Sequence, residues 1–256
     1  MRSRTKRALG TENGSIRSLA QVDVLEPLSE GDLEDLAARC LNIHLESGEE
    51  YACPEEYAGG LLLVMEGRVQ VYRLTSSGRQ FTFSWLGGGK SFLIWGSQEL
   101  HIHAVEPSTI ALVRLETLQA VVRKKPEVAV RLMSMLSEFL RQTEELACDM
   151  VYKDVLSRLA GAILRLVEDD GIVTREGYRI LTHYTHDQLG TMIGANRVAV
   201  TRAFSSLQDV GAVELKRRLI YVPDVETLRR LASEERVLGR NGGSIDRGDS
   251  RRSSSA

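Results

Sequence analysis

The chain has 256 residues, 43% of them hydrophobic, and its 33 basic side chains almost balance 35 acidic ones, for a formal charge of −2. That much apolar material supplies two modest domains, each with its own core, and excludes a single small module. Near-neutrality also excludes a protein that coats nucleic acid with its whole surface, so a basic interface must be confined to one region.

Residues 1–22 begin basic and stay polar where a signal peptide needs an apolar stretch, and they read as a disordered tail. No later apolar run approaches membrane-spanning length, so a cytoplasmic protein without a membrane partner is expected. Ser29 to Ala38 has the pattern of a short amphipathic helix. From 43 to 115 the texture changes to short apolar alternations: Leu61 to Met65, Val69 to Leu74, Phe81 to Leu86 and Ile110 to Leu115. These predict antiparallel strands, with turns at Glu66-Gly67, Ser76-Ser77-Gly78 and Gly87-Gly88-Gly89. The aromatic, Gly-rich segment from Trp85 to Trp95 is read as closing that structure. Cys40, Cys53 and Cys148 are scattered and odd in number, which suggests reduced thiols and no metal centre.

Pro126 then opens a long helix, a position where its missing N–H costs nothing. Along it Ala129, Leu132, Leu136, Phe139, Thr143, Leu146 and Met150 recur at steps of three and four, the spacing of a coiled-coil seam. A second stripe, Met133, Leu140 and Ala147, lies beside the first and is available to another domain. The alternative is a long core helix within one subunit. Asp154 is placed to cap a further helix from Val155 to about Glu168, with a hinge near Tyr152.

Thr185 and Gln188 have the spacing of a capping box, and the helix they begin should run to Ile193. Gly194 supplies a turn, and Asn196 can cap a second helix beginning at Arg197. There Val200, Ala203, Phe204 and Leu207 form one buried stripe, leaving Val198, Thr201, Arg202 and Ser205 outward with Arg197 on their flank. Two such helices are a helix-turn-helix, whose second helix enters the major groove of double-stranded DNA. An ordinary helical hairpin is the alternative. Against it stand the strand-like residues from Gly211 to Val222 around a Lys216-Arg217-Arg218 tip, a basic wing. Between Ala195 and Arg230 seven Lys or Arg outnumber four Asp or Glu, the local excess that phosphate contacts require. Arg197, Val198, Thr201 and Arg202 are the expected base readers; Lys216, Arg217 and Arg218 would hold phosphates, with Thr185 adding a contact at its helix start. Residues 236–256, rich in Arg, Gly and Ser, read as a second disordered tail.

Sheet, long helix and helix-turn-helix, in that order, resemble the Crp/Fnr superfamily of bacterial transcription regulators. The resemblance spans roughly Leu25 to Ala232 and is carried by Leu63-Val-Met-Glu-Gly67-Arg-Val-Gln-Val71, Asp154-Val-Leu-Ser-Arg158-Leu and Gly194-Ala-Asn-Arg-Val-Ala-Val-Thr-Arg202. The last piece is most similar to the NtcA branch of global nitrogen regulators. It implies an α+β protein: a cyclic-nucleotide-binding-like antiparallel β-roll over 23–125, a dimerisation helix over 126–151 with Leu132, Leu136, Phe139, Thr143, Leu146 and Met150 on its seam, and a winged helix-turn-helix over 152–235. It further implies a homodimer on a palindromic operator, with RNA polymerase as partner, no catalytic residues and an effector between roll and helix, where Phe92, Trp95, His103, Phe139 and Arg141 are the candidates.

The effector itself does not carry over. Cyclic-nucleotide binders have Phe-Gly-Glu and, further on, Arg-Ser-Ala or Arg-Thr-Ala; here the counterparts are Phe92-Leu93-Ile94 and Ile102-His103-Ala104, and no Arg lies between Arg79 and Arg114. The two Arg that hold 2-oxoglutarate in the NtcA branch fall at Leu100 and Phe139. An effector that is neither cyclic AMP nor 2-oxoglutarate is therefore expected, because a buried anion needs a partner. Two alternatives stand beside this reading. His101 and His103 share a strand face and suit a haem or redox sensor of the same superfamily. An enzyme with a cyclic-nucleotide-like module is the other, but no phosphate loop, nucleophile elbow or zinc-ligand spacing is present.

Overall fold

The computed structural model describes residues 12–76, 78, 80–95 and 100–234. Two helices open it, α1 (Glu12–Leu19) and α2 (Glu30–Ala37). Ser29 and Asp32 start α2 with a reciprocal capping box, which satisfies amides that have no intrahelical partner. Eight strands follow: β1 (Leu41–Leu45), β2 (Glu50–Cys53), β3 (Leu61–Glu66), β4 (Arg68–Leu74), β5 (Gln80–Gly87), β6 (Ser91–Leu93), β7 (Leu100–Ala104) and β8 (Ser108–Val113). They form two antiparallel sheets, ordered β1-β8-β3-β6 and β2-β7-β4-β5.

The period of two assigns the inner strands to two cores at once. Leu62 and Val64 of β3 and Ile110 and Leu112 of β8 point between the sheets, onto Val69, Val71 and Ile102. Leu61, Leu63, Met65, Ala111 and Val113 point the other way, onto Leu19, Val22, Leu25, Leu33 and Leu36. The expected tail over 1–22 is therefore corrected in its second half. Leu19 and Val22 are fully buried, and the apolar spacing Ile16, Leu19, Val22 was the available signal. Residues 1–11, the 236–256 tail and Ser77 of an expected turn lie outside the described residues. The strand expected to reach Leu115 stops at Val113, and Leu115 instead starts α3 (Leu115–Lys124).

The long helix is α4 (Glu127–Tyr152), and its facing departs from expectation. Leu132 packs on the α1–α2 core, and Phe139 sits against the roll, with ring centroids 4.7 Å from Trp95 and 6.2 Å from Phe92. Leu146 is half-buried in a cleft with Trp85 and Arg165. Three members of the expected seam thus face this chain's own body. The most open apolar side chains on α4 are Leu140, 68% exposed, Met133, 58%, and Val130 and Val151, 57% each. Met133 and Leu140 belong to the stripe expected to face a domain. Part of the expected seam meets the roll, while its Leu136 and Met150 stay 40% and 41% exposed, because heptad spacing defines stripes without saying which one meets the roll.

Lys153 leaves the helical conformation, and Asp154 accepts from the Ser157 N–H at 2.8 Å to begin α5 (Val155–Asp170). The strands β9 (Gly171–Thr174) and β10 (Gly177–Ile180), not anticipated, precede α6 (His186–Ile193) and α7 (Arg197–Asp209). The wing strands β11 (Glu214–Lys216) and β12 (Leu219–Val222) and a final α8 (Val225–Ser233) complete the order. The wing is part of a four-stranded sheet, β11-β12-β10-β9. Leu159, Ile163, Leu189, Val200, Phe204, Leu207, Ile220 and Leu228 make one core beneath it. No helix among the described residues is long and apolar enough to cross a membrane.

Roll and C-terminal region meet at a polar and an aromatic contact. Arg68 donates to Asp170 at 2.7 Å, with only 18% and 7% of the two side chains exposed, and to the Tyr184 hydroxyl at 3.3 Å. Tyr184 stands edge-on to Trp85, centroids 5.3 Å apart. Trp85 therefore joins the two regions, whereas Trp95 closes the roll. A partly buried ion pair is costly to break on one side only, since the remaining charge stays desolvated. Arg68→Met should lower unfolding free energy by about 3 kcal/mol, and adding Asp170→Asn should restore a large part of the loss. Urea unfolding of the two single variants and the double measures this; additive losses would show that the two charges are not coupled.

Candidate nucleic-acid interface

Local chemistry builds the helix-turn-helix. The Gln188 N–H donates to Thr185 Oγ1 at 3.2 Å, and the Thr185 N–H donates to Gln188 Oε1 at 2.8 Å, closing the expected capping box. Gly194 takes a left-handed backbone, φ +63°, and a Cβ there would lie 2.5 Å from Met150 Cε. The end of α4 thus presses on the turn, and Met150 is occupied there rather than on a seam alone. Asn196 Oδ1 accepts from the Ala199 N–H at 2.9 Å, which starts α7. Along α7, Val200, Ala203, Phe204 and Leu207 are buried and Arg197, Val198, Thr201, Arg202 and Ser205 are exposed. The structure brings the four candidate base readers onto one open face, with Val198 60% exposed.

The charged groups on this surface are not equivalent. Arg197 lies 3.8 Å from Asp187, a pair of exposed side chains that water screens. Arg202 forms no ion pair with another described residue. Lys216 departs from expectation: its ammonium contacts Glu214 at 2.6 Å and Glu176 at 2.9 Å. The hydrogen bond to Glu214, then that to Glu176, holds its pKa well above the ordinary lysine value. It is a charged but locally neutralised group. The wing tip itself is a two-residue turn, since Lys216 pairs with Leu219. Arg217 and Arg218 occupy it with φ +52° and +68°, a conformation that costs a side-chain-bearing residue about 1 kcal/mol or more. Neither forms an ion pair with a described residue.

Arg218 lines one cleft with Thr185, His186 and Phe204, so wing tip, first-helix start and second helix converge. His186 was not anticipated. Its Nδ1 is 2.8 Å from Thr201 Oγ1, and its ring lies 5.3 Å from that of Phe204. The contact depends on how α6 packs on α7, and no local pattern announces it.

The second candidate site is a cavity of about 140 Å³ between roll and α4, lined by Ser84, Ser91, Phe92, Trp95, Glu138, Phe139 and Gln142 among others. Phe92, Trp95 and Phe139 meet there as expected. Arg141 does not: it pairs with Glu138 and Glu145 on the exposed side of α4. Hydrogen bonds from Arg141 and then Gln142 pull the Glu138 carboxyl down to about 2, so the ionic group in the lining is an anion. His103 does not either. On β7, Leu100, Ile102 and Ala104 face the core, which turns His101 and His103 outward. There His101 stacks on Tyr72 at 5.1 Å, and His103 Nδ1 stands 3.8 Å from Glu50.

Residues 157–231 match the family model of the Crp-like helix-turn-helix domain. Over 184 residues the chain is 28% identical to the global nitrogen regulator of Synechococcus elongatus, covering 69% of this chain and 83% of that one. It is 22% identical over 224 residues to the CRP-like cAMP-activated global transcriptional regulator of Mycobacterium tuberculosis, covering 84% and 98%. Two solved structures share the fold: a CooA mutant from Carboxydothermus hydrogenoformans, with TM-score 0.69 and 21% identity over 83% of this chain and 95% of that one, and FixK2 from Bradyrhizobium japonicum, with 0.66 and 23% over 76% and 98%.

The wing tip yields a stability test. Asn-Gly is the relaxed pair for a two-residue turn with φ > 0 at both positions. Arg217→Asn combined with Arg218→Gly should raise unfolding free energy by about 1 kcal/mol. Thermal unfolding measures it, and an unchanged or lower midpoint would show that the arginines are not strained.

Proposed function

We propose, for a chain that is a Crp/Fnr-type transcription regulator with a Crp-like helix-turn-helix domain, that it reads a palindromic operator as a homodimer in the cytoplasm and acts on RNA polymerase. The observation that carries this is the open face of α7. Arg197, Val198, Thr201 and Arg202 stand exposed together above a buried stripe, the arrangement a recognition helix needs in the major groove. Arg197 and Arg202 supply donors suited to guanine, and Val198 supplies methyl groups suited to thymine. Arg217 and Arg218, with Thr185 at its helix start, hold phosphates; Lys216 contributes less, because two carboxylates already neutralise it.

Pairing runs along α4 through its open stripe, Val130, Met133, Leu140 and Val151, with Leu136 and Met150 at its margin. An exposed apolar row of this length on one helix is what a second copy would cover. The effector is neither cyclic AMP nor 2-oxoglutarate. Neither the roll–helix cavity of about 140 Å³ nor the cleft of about 390 Å³ that adjoins it along α4 has an arginine or lysine from the roll in its lining to pair with an anion. Activation by cAMP, in the name of the mycobacterial relative, therefore stays with that protein.

Selection from random DNA with purified protein tests the whole reading. It should return a palindrome with half-sites about one helical turn apart, and cyclic AMP should change neither the sequence nor the affinity. Enrichment of isolated half-sites, or none, rejects the dimeric operator. Leu140→Asp should sediment as a monomer that has lost operator affinity; a dimer that persists moves the interface off the open stripe.

Base and phosphate contacts separate by mutation. Arg202→Ala should cost the operator about 1–3 kcal/mol more than random DNA, while Arg217→Ala should weaken both alike and flatten the salt dependence. Val198→Glu should shift preference at one symmetric pair of positions from A·T toward G·C, since a carboxylate accepts from the cytosine amino group. Identical rankings of the four base pairs by wild type and variant would place Val198 away from the bases.

A further inference from the structure

We infer that Thr201 reads thymine through its methyl group and donates no hydrogen bond to a base, because the hydroxyl proton is committed inside the protein. This deepens the proposal that α7 reads bases, and rests on it. Two contacts define the hydroxyl: Thr201 Oγ1 donates to the Arg197 carbonyl one turn back at 2.9 Å, and it lies 2.8 Å from His186 Nδ1.

A hydroxyl has a single hydrogen, and a carbonyl oxygen can only accept. If that hydrogen went to His186, two oxygens would face each other at 2.9 Å with nothing between them. Both contacts are satisfied only when the hydrogen lies on the Arg197 carbonyl and His186 carries a hydrogen on Nδ1. His186 is held for this role by its tilted ring contact with Phe204, centroids 5.3 Å apart. Thr201 therefore has no proton to offer guanine N7 or O6, adenine N7, thymine O4 or a phosphate oxygen, the acceptors that line the groove.

Apart from one oxygen lone pair, which can accept from an adenine or cytosine amino group, the group it can still present is its methyl. Val198, one turn earlier on the same face and 60% exposed, sets two more methyl groups beside it. Together they make a small apolar patch between Arg197 and Arg202. The major-groove group that matches such a patch is the C5 methyl of thymine.

The experiment uses the full-length protein and the operator recovered by selection, with single thymines replaced by uracil, which removes only that methyl. At one symmetric thymine, wild type and Thr201→Val should each lose about fourfold in affinity, the effect of one methyl group leaving an apolar contact. Thr201→Ser, which keeps the hydroxyl and drops the methyl, should be indifferent to uracil there. Both substitutions lie on the exposed face and leave the core untouched. The inference is overturned if Thr201→Val loses sequence preference while Thr201→Ser retains it, or if no uracil replacement weakens the wild type. Equal affinity of wild type for operator and random DNA overturns base reading by α7 as a whole, and this inference with it.

Discussion

Phe139 fixes the rotation of the longest helix in the molecule. Its ring sits between α4 and the roll, against Trp95 and Phe92, and a helix of this length has no second way to seat so large a side chain without turning its other stripes. Once Phe139 is inward, Leu132 must lie on the α1–α2 core and Leu140 must point to solvent. The same rotation sets where α4 ends and delivers Met150 to the turn before α7. Roll packing and the placement of the helix-turn-helix are thus coupled through one rigid body. That helix has no Gly or Pro within it to absorb a twist.

The junction between roll and C-terminal region is of a different kind. Arg68, Asp170 and Tyr184 meet through directional polar contacts, and Trp85 adds one aromatic edge. Such an interface is small beside the cores it joins, and its stability depends on keeping partners paired rather than on apolar area. Asp170 also accepts from the Thr182 N–H at 2.7 Å, so the segment entering α6 hangs from the residue that anchors the roll.

Legibility tracks the range of the interactions concerned. The helix-turn-helix is readable because its devices are local: Thr185 with Gln188, Gly194, and Asn196 with Ala199 are each within a few residues of one another. The strands from β3 to β5 are readable because alternation and turn glycines are local too. Much of what escapes depends on partners far along the chain. Lys216 is neutralised partly by Glu176, which the β9–β10 turn brings from 40 residues away, but partly also by Glu214 two residues before it, and Arg141 has the pattern of a pocket cation although Glu138 and Glu145 lie three and four residues away on its own helix face. The local members of both sets are legible in the sequence, since helical neighbours at three and four residues pair routinely. The seam on α4 is visible as a pattern but its neighbour is not, and His186 leaves no trace before α6 and α7 are packed together.

Because β3 is apolar on both faces, burial alone cannot tell its correct pairing from one slipped by a residue. The distinction falls to the turn at its end. Gly67, with φ +81°, lies so close to the neighbouring chain that a Cβ would be 2.4 Å from the Pro107 carbonyl oxygen and from Ser108 Oγ. That contact acts as a stop against which the hairpin is indexed to β8. A side chain there would act on the yield of correctly assembled molecules: the altered chain would partition between alternative pairings as it collapses, and appear as insoluble protein in proportion to how fast it was made.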